Sequence, residues 1–365
     1  MKKLIYLQIA RGIAALIVVF HHITASGVYY FDKHLFGGVF KAGWNAVDFF
    51  FVLSGFIIYY AHSGDLGRRS EWKRYFSKRL LRIYPIYWVV AGIGLALLSM
   101  KSGQVSGHEL PAFVSPSTYV LKSLLLIPQR IDPFLVVAWS LCYEMFFYIM
   151  FGLGILAGRR VLWIFIVVYL ALLGYQIIYP SGFENNPVLP FLASNYHLEF
   201  LLGIFTAYLI KPDINGHTLW SDIPAHRWLL ATGLVLFIGT WMGSLYFETV
   251  FSKFSLYSRL LYGTSSCLII GGIAQLKFPE TKASATTRFF LLLGDSSYVL
   301  YLIHPIVLAI LFKVITNMGF HGKNVGMTYG VYLAAALFCI LAGFILHIKV
   351  EKKILLATRK FSHKQ

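Results

Sequence analysis

The chain has 365 residues, of which 58% are hydrophobic, 17% aromatic and only 13% charged. A soluble domain carries roughly a quarter charged residues, so this composition excludes an ordinary soluble fold. The formal net charge of +17 does not mark a nucleic-acid binder. Lys and Arg crowd a few short loops between apolar runs, instead of lining a soluble face interleaved with aromatics, and no nucleic-acid partner is expected.

Apolar runs close to the ~20 residues a helix needs to cross the hydrocarbon core recur from end to end. They predict an all-α, polytopic transmembrane helical bundle of about ten spans. The spans fall near 4–24, 44–61, 82–100, 135–156, 161–179, 188–210, 228–246, 258–276, 289–313 and 327–348. The first run follows Met1-Lys2-Lys3 as a signal peptide would, but Arg11 interrupts it and no convincing small-residue cleavage site follows, so it reads as a retained helix. Segment 117–127 is apolar yet too short to cross, and reads as a re-entrant or interfacial piece. Residues 1–348 read as one membrane-embedded domain and 349–365 as a basic cytoplasmic tail, with no internal repeat or soluble domain. Cys142, Cys267 and Cys339 lie inside apolar runs without C-x-x-C spacing, which reads as packing and predicts neither disulfide nor metal site.

Loop charge sets the expected topology. Arg68, Arg69, Lys73, Arg74, Lys78 and Arg79, with the flanking Arg82, mark one loop as cytoplasmic, whereas 180–187 has no Lys or Arg and falls outside. Both termini then face the cytoplasm, and the tail and loop charges are expected to touch anionic lipid.

Ionisable residues at membrane depth are costly and tend to mark function. The first span holds Arg11, His21 and His22. Eleven residues at ~100° each return to within about 20° of the same face, so Arg11 and His22 align, ~16 Å apart along the axis. His21 lies ~100° round. An arginine in the inner half and a histidine near the outer end suit an elongated anionic donor such as coenzyme A. The plainer reading is a snorkelling arginine and two interfacial histidines.

Arg79 and Arg82 share a face at the start of the third span, where they either fork onto phosphate or anchor topology. Asp48 opens the second span at the expected depth of His22, as an orienter of the imidazole or as a helix-start acid. Glu144 lies near the middle of the fourth span and needs a partner from another helix. His304 precedes Pro305, a break that lines a cavity or merely bends the helix. Gly294-Asp295-Ser296-Ser297 reads as an N-cap, and His197 with Glu199 as a weaker pair.

Arg11-Gly12-Ile13-Ala14-Ala15-Leu16 through His21-His22 resembles the arginine, ten residues, histidine signature of the acyltransferase-3 family of bacterial membrane proteins. Asn45-Ala46-Val47-Asp48-Phe49-Phe50-Phe51-Val52-Leu53-Ser54-Gly55-Phe56 is similar to its second-helix motif, with Asn45-Ala46 in place of the usual glycine region. Arg79-Leu80-Leu81-Arg82-Ile83-Tyr84-Pro85 matches its Arg-x-x-Arg-x-x-Pro segment. Trp139-Ser140-Leu141-x-x-Glu144-x-x-Phe147-Tyr148 and Ser297-Tyr298-x-x-Tyr301-x-x-His304-Pro305 match two later segments. The resemblance runs in order along essentially the whole chain. It looks most similar to the single-domain branch that decorates exopolysaccharide or O-antigen.

The resemblance implies an O-acetyltransferase of the bacterial inner membrane, with acetyl-CoA or another acyl-CoA as donor substrate and no permanently bound cofactor. The acceptor is a surface polysaccharide or its lipid-linked oligosaccharide precursor. His22 is the implied catalytic residue, with Asp48 and Glu144 beside it. Arg11, Arg79 and Arg82 handle coenzyme A, and Ser54, Tyr143 and His304 are placed along the substrate cavity. Either His22 acts as general base on the acceptor hydroxyl, or it takes the acyl group itself in a covalent relay. A transporter or flippase for a lipid-linked glycan, a structural subunit of an export assembly, and homo-oligomerisation stay open at this level.

Overall fold

The computed structural model describes residues 4–99, 115–179, 183, 186, 188–211, 226–252, 255–276, 284–322 and 324–362. Among the described residues every regular element is a helix. Among these residues eight helical segments are long and apolar enough to cross a membrane: Ile5–Phe31, Leu35–Asp65, Arg69–Leu97, Val136–Ala157, Arg159–Ile178, His226–Tyr246, Ser297–Asn317 and Val325–Ala357. The expected spans at 188–210 and 258–276 are also helical, but differ in kind. The helix in the first, Tyr196–Ile210, has only 15 residues, and that in the second, Leu256–Ala274, carries Arg259 and a run of Ser and Thr.

The chain forms two compact units, Met1–Tyr60 with Leu198–Lys349, and Ala61–His197 with Val350–Gln365. In the first unit, α1 (Ile5–Phe31) is followed by a kinked 3-10 segment, Leu35–Asn45, and by α2 (Ala46–His62), which runs to the edge of the unit. The kink falls at Phe36, Gly37 and Gly38, all with positive φ, a conformation that costs glycine little. After α3 (Arg69–Ser99), α4 (Pro116–Leu124), α5 (Trp139–Ala157), α6 (Arg159–Ile178) and α7 (Leu189–Leu192) of the second unit, the first resumes at Leu198 within α8 (Tyr196–Ile210), followed by α9 (His226–Tyr246) and α10 (Leu256–Ala274). It closes with α11 (Ala285–Asp295), α12 (Ser297–Asn317) and α13 (Val325–Leu346).

Helix α1 packs against α11, α12 and α13. Their shared core is built from Ala15, Val19 and Ile23 of α1, Leu300 and Phe312 of α12, and Ala335 and Cys339 of α13. In lipid, apolar surface gains nothing by leaving water, so close approach at small residues carries helix association. A Cβ on Gly294 of α11 would lie 2.0 Å from the Gln8 carbonyl oxygen of α1. The same device joins α2 to α8: a Cβ on Gly55 would lie 2.1 Å from the Phe200 carbonyl oxygen, and one on Gly203 2.0 Å from that of Val52.

The expected single span at 289–313 is two helices. The chain breaks at Ser296, whose hydroxyl turns back to donate to the Leu293 carbonyl at 3.2 Å while its backbone N–H bonds Leu292. Asp295, read as part of an N-cap, ends α11 and accepts a hydrogen bond from Gln8 instead.

In the second unit α3 (Arg69–Ser99) packs against α5 (Trp139–Ala157), and α5 against α6 (Arg159–Ile178). Short helices α4 (Pro116–Leu124) and α7 (Leu189–Leu192) complete it, with α14 (Lys352–Ser362) from the carboxyl end. Segment 117–127, expected to be too short to cross, holds the nine-residue α4, hung on α3 by its carbonyl end. Tyr84, Tyr87 and Trp88, one face of α3, donate to the carbonyls of Leu125, Ser123 and Leu124 at 2.9, 2.6 and 3.0 Å. These carbonyls lie where intrahelical donors run out at a helix end, and that of Ser123 also accepts the Leu126 backbone N–H at 3.1 Å. The segment read as a basic tail contains a π turn at His347–Glu351 and then α14, which packs on α3.

Candidate functional site

Helix α1 carries the first-unit site. The imidazole of His22 is half-buried, and its Nδ1 lies 3.0 Å from the Val18 carbonyl one turn back. A carbonyl oxygen only accepts, so Nδ1 holds the proton and neutral His22 carries its lone pair on Nε2. The His304 ring of α12 meets it, with centroids 4.8 Å apart. His304 repeats the arrangement, its Nδ1 3.1 Å from the Leu300 carbonyl, but is fully buried. His21 turns elsewhere, with Nδ1 3.0 Å from the carbonyl of Phe40 in the 3-10 segment.

Arg11, three turns before His22, donates to Gln8 at 3.1 Å, and Gln8 donates to Asp295 of α11 at 2.7 Å. The face of α1 that holds Arg11 and His22 is therefore the face turned to α11 and α12. Its alignment follows from one unbroken helix, and the contact with α11 from Gly12 and Gly294, which let the two backbones touch.

A buried ionic cluster lies on α2, α8 and α10. Arg259 pairs with Asp48 by a short hydrogen bond and with Glu199 at 3.4 Å, and all three are at most 1% exposed. The guanidinium also lies over the Trp44 ring, 4.7 Å from its centroid, a contact that strengthens when desolvated. Neither Arg259 nor the role of Glu199 stood out in the sequence. Arg259 sits one residue inside an expected span, where arginine is ordinarily read as a snorkelling end anchor. The available signal was that Asp48 and Glu199, at membrane depth, both required a cation. Ser54 is half-buried on α2.

The second unit holds the other predicted residues. Arg79 of α3 lies over two rings, 5.6 Å from the centroid of Tyr75 and 5.5 Å from that of Tyr148. Tyr148 donates a short hydrogen bond to Glu144 on the same face of α5, and Tyr75 donates to the Tyr148 carbonyl at 3.2 Å. Glu144 thus has one donor on its own helix, and α3 places a cation over that donor's ring. Arg82 is exposed. Tyr143 stacks on Phe191 with centroids 4.4 Å apart and meets Tyr196 and His197. His197 bonds the Phe191 carbonyl at 2.9 Å among these rings, so its expected pairing with Glu199 gives way to separate partners for each.

Chemically, the first unit offers a neutral imidazole with a directed lone pair, able to take a proton from a hydroxyl. The second offers guanidinium groups suited to phosphate.

A family model for the acyltransferase domain matches residues 4–348. The chain is 28% identical over 335 residues to the exopolysaccharide production protein ExoZ of Rhizobium meliloti, covering 87% of this chain and 92% of that protein. It is 23% identical over 327 residues to the acyltransferase MdmB of Streptomyces mycarofaciens, covering 84% and 79%. No solved structure matches it.

Proposed function

Because this chain belongs to the acyltransferase-3 family of membrane acyltransferases, we propose that it moves an acetyl group from acetyl-CoA to a hydroxyl of a surface polysaccharide or its lipid-linked precursor. The setting is a bacterial cytoplasmic membrane with both termini inside. The observation that carries this reading is the contact of His22 Nδ1 with the Val18 carbonyl: it commits Nδ1 as the donor and makes the Nε2 lone pair the base. His22 takes the proton of the acceptor hydroxyl, whose oxygen attacks the thioester carbonyl. The C–S bond breaks and the thiolate leaves with that proton. A positioned base contributes about 10² to 10⁴ in rate. The name of the exopolysaccharide relative supports a polysaccharide acceptor.

Arg79 and Arg82 take the phosphates of the donor by charge-assisted hydrogen bonds. Arg11, held by Gln8, guides the donor. Asp48 contributes by locking α2 to α10 through Arg259, and Glu144 by holding Tyr148 under Arg79.

Purified protein incubated with labelled acetyl-CoA and a bacterial exopolysaccharide tests the reading. His22→Asn should lower kcat by about 10² or more, and near-normal labelling by a properly inserted variant would remove His22 from the chemistry. Arg79→Gln with Arg82→Gln should raise the KM for acetyl-CoA about tenfold or more, the loss of one charged hydrogen bond. An unchanged KM would return both to topology anchors.

A further inference from the structure

The mechanism leaves the buried Nε2 of His304 unused. Its Nδ1 is tied to the Leu300 carbonyl, so Nε2 carries a lone pair, and that atom is buried with no hydrogen-bond partner among the described residues. An acceptor buried without a donor costs about 1–3 kcal/mol, and such an atom in a native protein calls for an explanation. The nearest groups do not offer it one: the Tyr301 ring lies 6.0 Å away, and Cys339 on α13 reaches the backbone carbonyl of His304, not its ring. The ring that meets it is His22, centroid to centroid at 4.8 Å. The two imidazoles are thus in the same tautomer, each with Nδ1 fixed by the carbonyl of the preceding turn. His21 is less suited to the task, being half-buried and tied through Nδ1 to the 3-10 segment.

We infer that His304 is a positioning residue that acts through His22, sharing with it the proton removed from the acceptor. This rests on the proposed function of His22. When the hydroxyl proton reaches His22 Nε2, an imidazolium forms on a half-buried ring, where water gives it only part of its solvation and a hydrogen-bond acceptor stabilises it. A small turn of the ring presents that N–H to the lone pair of His304 Nε2, and the proton spends part of the step there. The oxygen forms the ester bond, the C–S bond breaks, and the same proton returns through His22 to the departing thiolate. No group beyond the two substrates is consumed, and both imidazoles end neutral.

The unaltered enzyme gives the first test. Its kcat, followed across H2O–D2O mixtures at saturating acetyl-CoA and acceptor polysaccharide, should fall along a curve that bows below a straight line, because more than one protonic site moves. A straight or flat plot overturns the inference. His304→Gln keeps a side chain of similar length that can hydrogen-bond but cannot take a proton. It should lower kcat about tenfold to hundredfold, leave both KM values unchanged and straighten the plot. A folded His304→Gln protein with normal kcat and a bowed plot overturns the inference while leaving His22 as base. An active His22→Asn protein overturns the parent reading instead. Should the glutamine variant fail to insert, His304→Ala with added imidazole replaces it. Recovery of kcat by imidazole but not by the weaker base pyrazole supports proton sharing, and no recovery overturns it.

Discussion

Replacing Arg259 by methionine removes the cation that pairs with both Asp48 and Glu199, which are at most 1% exposed. At the 3.4 Å separation of Arg259 and Glu199, a unit ion pair in an effective dielectric near 20 is worth about 5 kcal/mol before desolvation. Removing one partner of a buried pair typically costs about 3–5 kcal/mol, because the other charge is left behind. With two carboxylates stranded, Arg259→Met should fall at the upper end of that range. Asp48→Asn and Glu199→Gln each keep an amide oxygen acceptor and leave Arg259 one carboxylate, so each should cost less than Arg259→Met. The triple variant Arg259→Met, Asp48→Asn, Glu199→Gln leaves no buried charge and should recover most of the loss. Thermal unfolding in detergent, with acyl-transfer activity as a second readout, measures all four. An Arg259→Met protein within about 1 kcal/mol of the parent would refute the reasoning.

Other perturbations test separate contacts. Gly203→Ala places a Cβ 2.0 Å from the Val52 carbonyl oxygen, so α8 must back away from α2. Overpacking of this kind costs about 1–3 kcal/mol, and a lower melting temperature should accompany weakened activity, whereas Gly239→Ala, with open space around it, should change neither. Tyr148→Phe removes the donor that holds Glu144 while keeping the ring under Arg79. The KM for acetyl-CoA should rise less than threefold if the ring is what positions Arg79, and measured KM values for this variant and for Tyr148→Leu separate ring from hydroxyl. A Tyr148→Phe defect as large as that of Tyr148→Leu would assign the role to the hydroxyl.

The spans were readable because length and apolarity act locally: a run of ~20 apolar residues becomes a helix whatever surrounds it. The alignment of Arg11 with His22 was readable for the same reason, since helix periodicity fixes it. The break at Ser296 was not, because it depends on a hydroxyl turning back to Leu293 and on α1 lying against Gly294. Partner choice was the least legible feature. Asp48 and Arg259 stand 211 residues apart, and nothing near either names the other. Likewise the apposition of His22 and His304 is a property of α1 against α12. The motifs marked both residues as polar and placed deep, but only packing shows that their rings touch.

The first unit is assembled from the beginning and the later part of the chain, Met1–Tyr60 with Leu198–Lys349, while most of the second is the stretch between. During synthesis the middle stretch is therefore complete before the first unit has its second half. Domains generally fold as units as the chain emerges, so α1 and α2 must wait in the bilayer for α8 to α13. Throughout that interval the Asp48 carboxylate has been inserted and Arg259 has not yet left the ribosome. A chain truncated before residue 259 should therefore hold the first two helices of this unit in the membrane with that carboxylate still waiting for its cation.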